Sequence, residues 1–191
     1  MALVITSAPA VEPVTVSEAK AHLRVDGTAE DTLIGSLILT SRLHIEAALG
    51  LALMTQSWRL SLDVWPNGRE LELPLRPLQS LSSVKVVAAD GTSETVPSNS
   101  YVVDIDGTPP RLVRNGGRWP QPEKAANGIE IEFTAGFGDE AADVPAPIRQ
   151  ALLMLIAHWY EHRDPIEVGS RETLIPAAVS DLLAPYRTVR L

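Results

Sequence analysis

Residues 33–50, LIGSLILTSRLHIEAALG, run directly into residues 51–64, LALMTQSWRLSLDV, and the hydrophobic period changes inside that stretch. In the first half Leu33, Ile34, Leu37, Ile38, Ile45, Ala48 and Leu49 recur near the 3.6-residue spacing of a helix face. Gly50 stands where a C-capping glycine belongs. Past Met54 the period falls to two. Trp58, Leu60, Leu62 and Val64 alternate with Arg59, Ser61 and Asp63, the pattern of a strand with one buried face. A helix that hands over to a strand in mid-chain points to an α+β fold, with helices gathered at the ends and strands in the middle.

Upstream of the transition the pattern stays helical. Thr15 followed by Glu18 is a capping box that starts a short helix through Ala19, Ala21, Leu23 and Arg24, stopped by Asp26 and Gly27. A second box, Thr28 with Asp31, opens the long helix, so the first fifty residues read as a helical hairpin. Downstream, Pro66, Asn67 and Gly68 supply a turn, after which Leu71, Leu73 and Leu75 alternate with Glu70, Glu72 and Pro74. The two runs together read as a β-hairpin. Further strands are expected at residues 84–88, 101–104, 111–113 and 129–134, separated by turn dipeptides such as Asp90-Gly91, Asp106-Gly107 and Asn127-Gly128. Residues 115–126, with Gly116, Gly117, Pro120 and Pro122, read as a surface loop suited to contacts with another protein.

Helical pattern returns after Pro145 and Pro147. A helix from Ile148 to about Arg163 carries the stripe Ile148, Leu152, Leu155, Ile156 and Trp159, widened by Leu153, Met154 and Ala157 until it is apolar nearly all round. Such breadth implies burial on more than one side, and Leu152, Leu155, Ile156 and Trp159 are candidates for packing between subunits. A last short helix over residues 177–184 ends before Pro185. The terminal Tyr186, Arg187, Thr188, Val189, Arg190 and Leu191 form a small basic tail with the character of a docking peptide. The organisation is therefore a helical part over residues 1–54, an inserted antiparallel β domain over 55–135, completing helices over 136–185, and a docking tail over 186–191.

Bulk properties narrow the functional classes. At 191 residues, with 45% apolar and 21% charged residues, the chain is a globular protein with no room for a second enzyme-sized domain. It contains no cysteine, which excludes disulfides, thiolate nucleophiles and cysteine-type zinc sites, and suits a reducing cytoplasm. No signal-peptide pattern opens it, and no apolar run nears the roughly 20 residues that span a bilayer. The formal net charge of -8 opposes binding to nucleic acid, although it suits a wall past which DNA must slide.

Three apparent chemical motifs carry competing bland readings. His158-Trp159-Tyr160-Glu161-His162 fits the H-x-x-E-H pattern of a zinc metallopeptidase, with His158 and His162 as ligands and Glu161 to activate water. A third ligand on a separate downstream helix is lacking. Histidines in the last turn of a helix also interact favourably with its terminal carbonyls, the simpler reading. Gly136-Phe137-Gly138-Asp139-Glu140-Ala141 nominally matches a dinucleotide turn, but Asp139, Glu140 and Asp143 would set carboxylates where a pyrophosphate must sit. Asp104 and Asp106, beside Gly107, read as turn residues. No catalytic residue, metal ligand or cofactor emerges.

Several segments, taken in order, resemble the head–tail connector (adaptor) family of long-tailed bacteriophages and related gene transfer agents. The carrying residues are Val16-Ser17-Glu18-Ala19-Lys20-Ala21-His22-Leu23-Arg24-Val25-Asp26, Gln56-Ser57-Trp58 leading to Leu62-Asp63-Val64-Trp65-Pro66, Phe133-Thr134-Ala135-Gly136-Phe137-Gly138 with Val144-Pro145, and Leu182-Leu183-Ala184-Pro185-Tyr186-Arg187. The stretch Ala47-Ala48-Leu49-Gly50-Leu51-Ala52 departs from the more polar sequence usual there. The resemblance implies a non-enzymatic structural protein, made in the bacterial cytoplasm and placed in the neck of a virion or phage-like particle. It implies a ring of about twelve copies beneath the portal, continuing the DNA channel. Its partners would be other copies of itself, the portal, and a stopper or other tail-proximal neck protein, with DNA passing through unbound and no membrane involved. Tyr186, Arg187, Val189, Arg190 and Leu191 would dock on the portal side. The competing readings are a binding module unrelated to virions and the zinc peptidase on His158, Glu161 and His162.

Overall fold

A computed structural model describes residues 1–162 and 175–187. The fold is α+β, and the described residues form eight strands in two antiparallel sheets and four α-helices. The chain divides into a sheet unit, Met1–Ala10 with Gly50–Phe137, and a helical unit made of Val11–Leu49 and the residues from Gly138 onward.

In the sheet unit, β1 (Ala2–Ser7), β2 (Gln56–Leu62), β8 (Ile129–Ala135), β4 (Leu78–Val87) and β5 (Ser93–Thr95) form one sheet in that spatial order. A second sheet takes the order β3 (Glu70–Glu72), β7 (Arg111–Arg114), β6 (Tyr101–Asp104). Period-two patterning holds best on β8, where Ile129, Ile131, Phe133 and Ala135 are buried and the residues between them are not. One core receives side chains from both sheets, among them Leu60, Val84, Ile131 and Phe133 from the first and Leu71 and Leu112 from the second.

The expected hairpin does not form. β2 pairs with β1 on one side and β8 on the other, whereas β3 pairs with β7. Leu71, Leu73 and Leu75 are buried as their alternation predicts, but alternation reports which side of a strand is covered, not which strand lies beside it. The intervening turn sends Trp65 into the core. There it stacks on Trp119, ring centroids 4.3 Å apart and planes within 9°, while the Trp65 Nε1–H donates to the Pro120 carbonyl at 2.6 Å. The loop over 115–126 is thus partly an inner element, with Trp119 only 5% exposed. β1 and β5 are strands that the alternation pattern did not mark.

In the helical unit, α1 (Val16–Leu23) begins with the expected capping box: the Glu18 N–H donates to Thr15 Oγ1 at 3.1 Å, and the Thr15 N–H donates to Glu18 Oε2 at 2.8 Å. It ends one residue on, at Arg24 in the left-handed region (φ 57), ahead of the expected stop at Asp26 and Gly27. α2 (Asp31–Leu49) starts at Asp31 itself, whose carboxylate accepts from Lys20 at 2.7 Å, so Thr28 belongs to the preceding turn. α3 (Ala146–Glu161) and α4 (Ala177–Leu183) complete the unit, and α3 packs against α1, α2 and α4. Ile34, Ile38 and Ile45 of α2 and Ile148, Leu152, Leu155 and Ile156 of α3 make its core. None of the helices among the described residues is long and apolar enough to cross a membrane.

Candidate functional site

His158 and His162 lie one turn apart with ring centroids 4.6 Å apart, and His162 Nδ1 sits 2.8 Å from the His158 carbonyl oxygen. The His162 backbone N–H donates to the same carbonyl at 3.0 Å. This is a helix end satisfying its own last carbonyls. Among the described residues no three His, Asp or Glu side chains come together in a metal-holding group.

The glycine pair near residue 137 has a packing explanation. Gly136 has φ +145, and a Cβ there would lie 2.4 Å from the Met54 carbonyl oxygen, so the backbone passes too close for any side chain. A Cβ on Gly138 would lie 2.1 Å from Asp143 Oδ2. The Asp143 carboxylate occupies that space because it accepts the Glu140 N–H at 2.9 Å, capping the short turn Ala141–Asp143. The glycines make room for a main chain and a carboxylate, the reverse of a phosphate cradle. Asp104 likewise acts as a turn residue: Oδ1 accepts the Gly107 N–H at 3.1 Å and Oδ2 accepts from Arg111 Nε at 2.9 Å.

Of the residues expected to pack between subunits, Leu152, Leu155 and Ile156 are 0% exposed, enclosed by the helical unit's own elements. Their burial is complete before any neighbour arrives. Trp159 is half-buried, set edge-on to the His44 ring at 5.6 Å, and is the member of that stripe with surface left to offer.

Of the expected docking tail, Tyr186 closes the short turn Ala184–Tyr186 and is half-buried, and Arg187 is exposed. Val189, Arg190 and Leu191 lie outside the described residues. Arg187 borders a cavity of about 170 Å³ between α2 and α4, lined by Ile45, Leu49, Val179 and Leu183 with His44 at its rim. Arg187 therefore stands beside an apolar recess.

The charged groups that hold the helical unit combine one i,i+4 pair, Arg42 with Glu46, with partners far apart in sequence. Arg42, its side chain 5% exposed, donates from Nε to Glu12 at 2.7 Å and from Nη1 to Glu46 at 2.9 Å. Burial alone would lower the Arg42 pKa, and the hydrogen bond to Glu12 with the charges of Glu46 and Glu12 more than offset it, so the net shift is upward. Arg149 of α3 donates to the Pro13 carbonyl at 3.1 Å and pairs with Glu18. The Glu18 carboxyl is held below the usual carboxylate range, chiefly by the Thr15 N–H and hydroxyl and further by Arg149. Sequence reading missed the Arg42 network because no local spacing links Glu12 to Arg42.

No protein-family model and no curated protein matches the chain. Solved structures do. The chain is similar to one in the neck of an empty gene transfer agent particle computed with C6 symmetry, at 29% identity and TM-score 0.87. It is similar to a chain in the virion of a native gene transfer agent particle, at 30% identity and TM-score 0.85. A third likeness, at 28% identity and TM-score 0.82, is to a chain in the neck of a native particle computed with C12 symmetry. Each covers 100% of this chain and 97% of the other.

Proposed function

The chain belongs to the head–tail connector family found in the necks of gene transfer agent particles, and from that membership we propose that it is a structural subunit of a neck ring. The observation that carries this reading is the end-to-end likeness, at TM-scores of 0.82–0.87, to a chain of a virion structure and to chains of neck structures computed with C6 and C12 symmetry. The match runs the whole length of the chain, so the likeness takes in both its units.

The proposed ring has twelve copies and sits beneath the portal, joining capsid to tail and continuing the DNA channel, without a reaction of its own. The formal charge of -8 fits a wall that DNA passes without being gripped, because like charge repels phosphate. The terminal segment, Tyr186, Arg187, Val189, Arg190 and Leu191, is proposed to dock on the portal, its arginines pairing with carboxylates there. The tail side is proposed to receive a stopper or similar neck protein.

Deletion of the gene in a particle-producing cell tests the role. The expected product is filled or leaking heads separate from tails. Normally tailed, infective particles lacking the chain would overturn the proposal.

A further inference from the structure

The second sheet keeps its carboxylates on one face. Arg111 of β7 pairs there with Asp104 of β6 at 2.9 Å and with Glu70 of β3 at 2.8 Å. Arg114 and Tyr101 stand three residues from Arg111 and Asp104, so strand alternation turns them to the other face. Tyr101 and Arg114 are register partners across β6 and β7. On the far side Arg69 stands across from Arg114: the Arg114 N–H donates to the Arg69 carbonyl at 2.8 Å, and Arg69 Nη2 donates to the Arg114 carbonyl at 3.1 Å. Two arginines and a tyrosine therefore meet at one end of the sheet with no carboxylate among them.

The chain around that end is free of acid. Residues 64–69 and 107–122 contain no Asp or Glu, in a sequence that has 24. The Trp65–Trp119 stack and the Trp65 bond to the Pro120 carbonyl fasten these two segments together, and the exposed Arg118 directly precedes the buried Trp119. Of the carboxylates that flank the segments, Glu70 is taken by Arg111, Asp63 accepts the Asn127 N–H at 2.7 Å, and Glu123 accepts the Ala89 N–H at 3.3 Å. Among the described residues no carboxylate pairs with Arg69, Arg114 or Arg118. Arg114 Nε is buried without an acceptor, a cost to a charged group that an anion beside the guanidinium offsets.

We infer that this corner of the sheet unit binds phosphate groups of a DNA backbone through Arg69, Arg114 and Arg118, with the Tyr101 hydroxyl as a further donor. Its composition selects phosphate. Tyr101, Asn115, Gly116, Gly117 and the three arginines bring no aliphatic side chain; the exposed Val102 belongs to the opposite face, and Val64 sits beside the acidic Asp63. A protein partner is held chiefly by apolar and aromatic anchors seated in pockets, whereas arginine, tyrosine and open main chain are the groups that contact phosphate. The guanidinium fork matches a phosphate's paired oxygens. Burial raises the Tyr101 pKa, so its hydroxyl keeps its proton to donate. The net charge of -8 does not forbid the contact, because at about 0.1 M salt charges more than about 10 Å away are largely screened. That DNA supplies the phosphate rests on the ring reading above. Such a contact ignores base sequence and yields to salt, which suits a duplex that must move on.

Heteronuclear NMR of the purified full chain, titrated with a short DNA duplex at several salt concentrations, tests the site. Amide shifts should be confined to residues 69, 101 and 114–118, and log affinity should fall against log salt with a slope of about -2.7 for three phosphate contacts. Arg69→Gln with Arg118→Gln changes only exposed positions and should bring the slope to about -0.9 while thermal unfolding stays where it was. No shift at these residues, or a double variant that binds as the wild type does, overturns the inference. Inorganic phosphate that moves the same amides at the same phosphate concentration would make this a site for the free ion and overturn the assignment to DNA. A stronger response to a polyglutamate peptide than to the duplex would make it a protein-docking surface and overturn it equally. The measurement uses the purified chain, so its failure leaves the ring reading standing, and the gene deletion above tests that reading separately.

Discussion

Gly136→Ala and Gly138→Ala differ by two positions in sequence, and Gly136→Ala should cost more. At Gly136 two penalties add. A φ of +145 lies in a region that residues with a Cβ avoid, a strain of about 1–3 kcal/mol. The new methyl would also lie 2.4 Å from the Met54 carbonyl oxygen and 2.6 Å from the Thr55 nitrogen, main-chain atoms with no rotamer to change, an overpacking cost of about 1–3 kcal/mol. The sum is about 2–6 kcal/mol, against a total stability of about 5–15 kcal/mol for a domain. At Gly138 the new methyl would meet Asp143 Oδ2 at 2.1 Å, Cγ at 2.4 Å and Cβ at 2.6 Å; the carboxylate can rotate away, whereas the Cβ moves only with the exposed turn Ala141–Asp143. The loss there is the Glu140 N–H hydrogen bond, about 0.5–1.5 kcal/mol, together with a shift of that turn, and no positive-φ strain adds to it. Guanidinium unfolding followed by far-UV circular dichroism separates the two. A Gly136→Ala midpoint equal to wild type, or a Gly138→Ala protein less stable than Gly136→Ala, would refute the reasoning.

Three further outcomes follow from the same contacts. Trp119→Ala removes a 5%-exposed ring and its stack on Trp65, and should cost about 3–5 kcal/mol and abolish the near-ultraviolet dichroism of the pair; an unchanged spectrum would show that the stack is absent in solution. Arg42→Met leaves two carboxylates without the guanidinium that joins them and should cost about 3–5 kcal/mol in chemical denaturation, and a cost below 1 kcal/mol would mean the network contributes little. Glu18 and Glu132 both have carboxyl groups held below the usual range, Glu18 chiefly by Thr15 and Glu132 chiefly by Arg59. A lowered folded-state pKa contributes stability that is present above the unfolded value, about 4.3, and lost as pH falls through the folded one. The melting temperature should therefore hold above about pH 5.5 and fall below about pH 4, less steeply in Glu18→Gln; parallel curves for the two proteins would contradict the assignment.

What the sequence made legible was local. The Thr15–Glu18 box, the stripe of α3 and the alternation on β8 each report a contact within a few residues, and each is found in the fold. The pairing of β2 with β1 and β8, and of β3 with β7, joins segments tens of residues apart and leaves no local trace. β1 is an edge strand whose Val4 and Ile5 are 54% and 42% exposed, so it lacks the one-sided burial that alternation detects. The same reasoning bears on α3. Its apolar breadth suggested a subunit contact, and Leu152, Leu155 and Ile156 are buried within the helical unit itself. The likeness of ordered segments along the chain carried more about function than any single residue did.

Cryo-electron microscopy of the neck in purified particles tests the central claim most directly. A closed ring of twelve copies of this chain between portal and tail, with density for Tyr186 and Arg187 on the portal side, is the expected result. A neck whose ring at that level is built from another protein, with this chain absent or bound elsewhere on the particle, would contradict it.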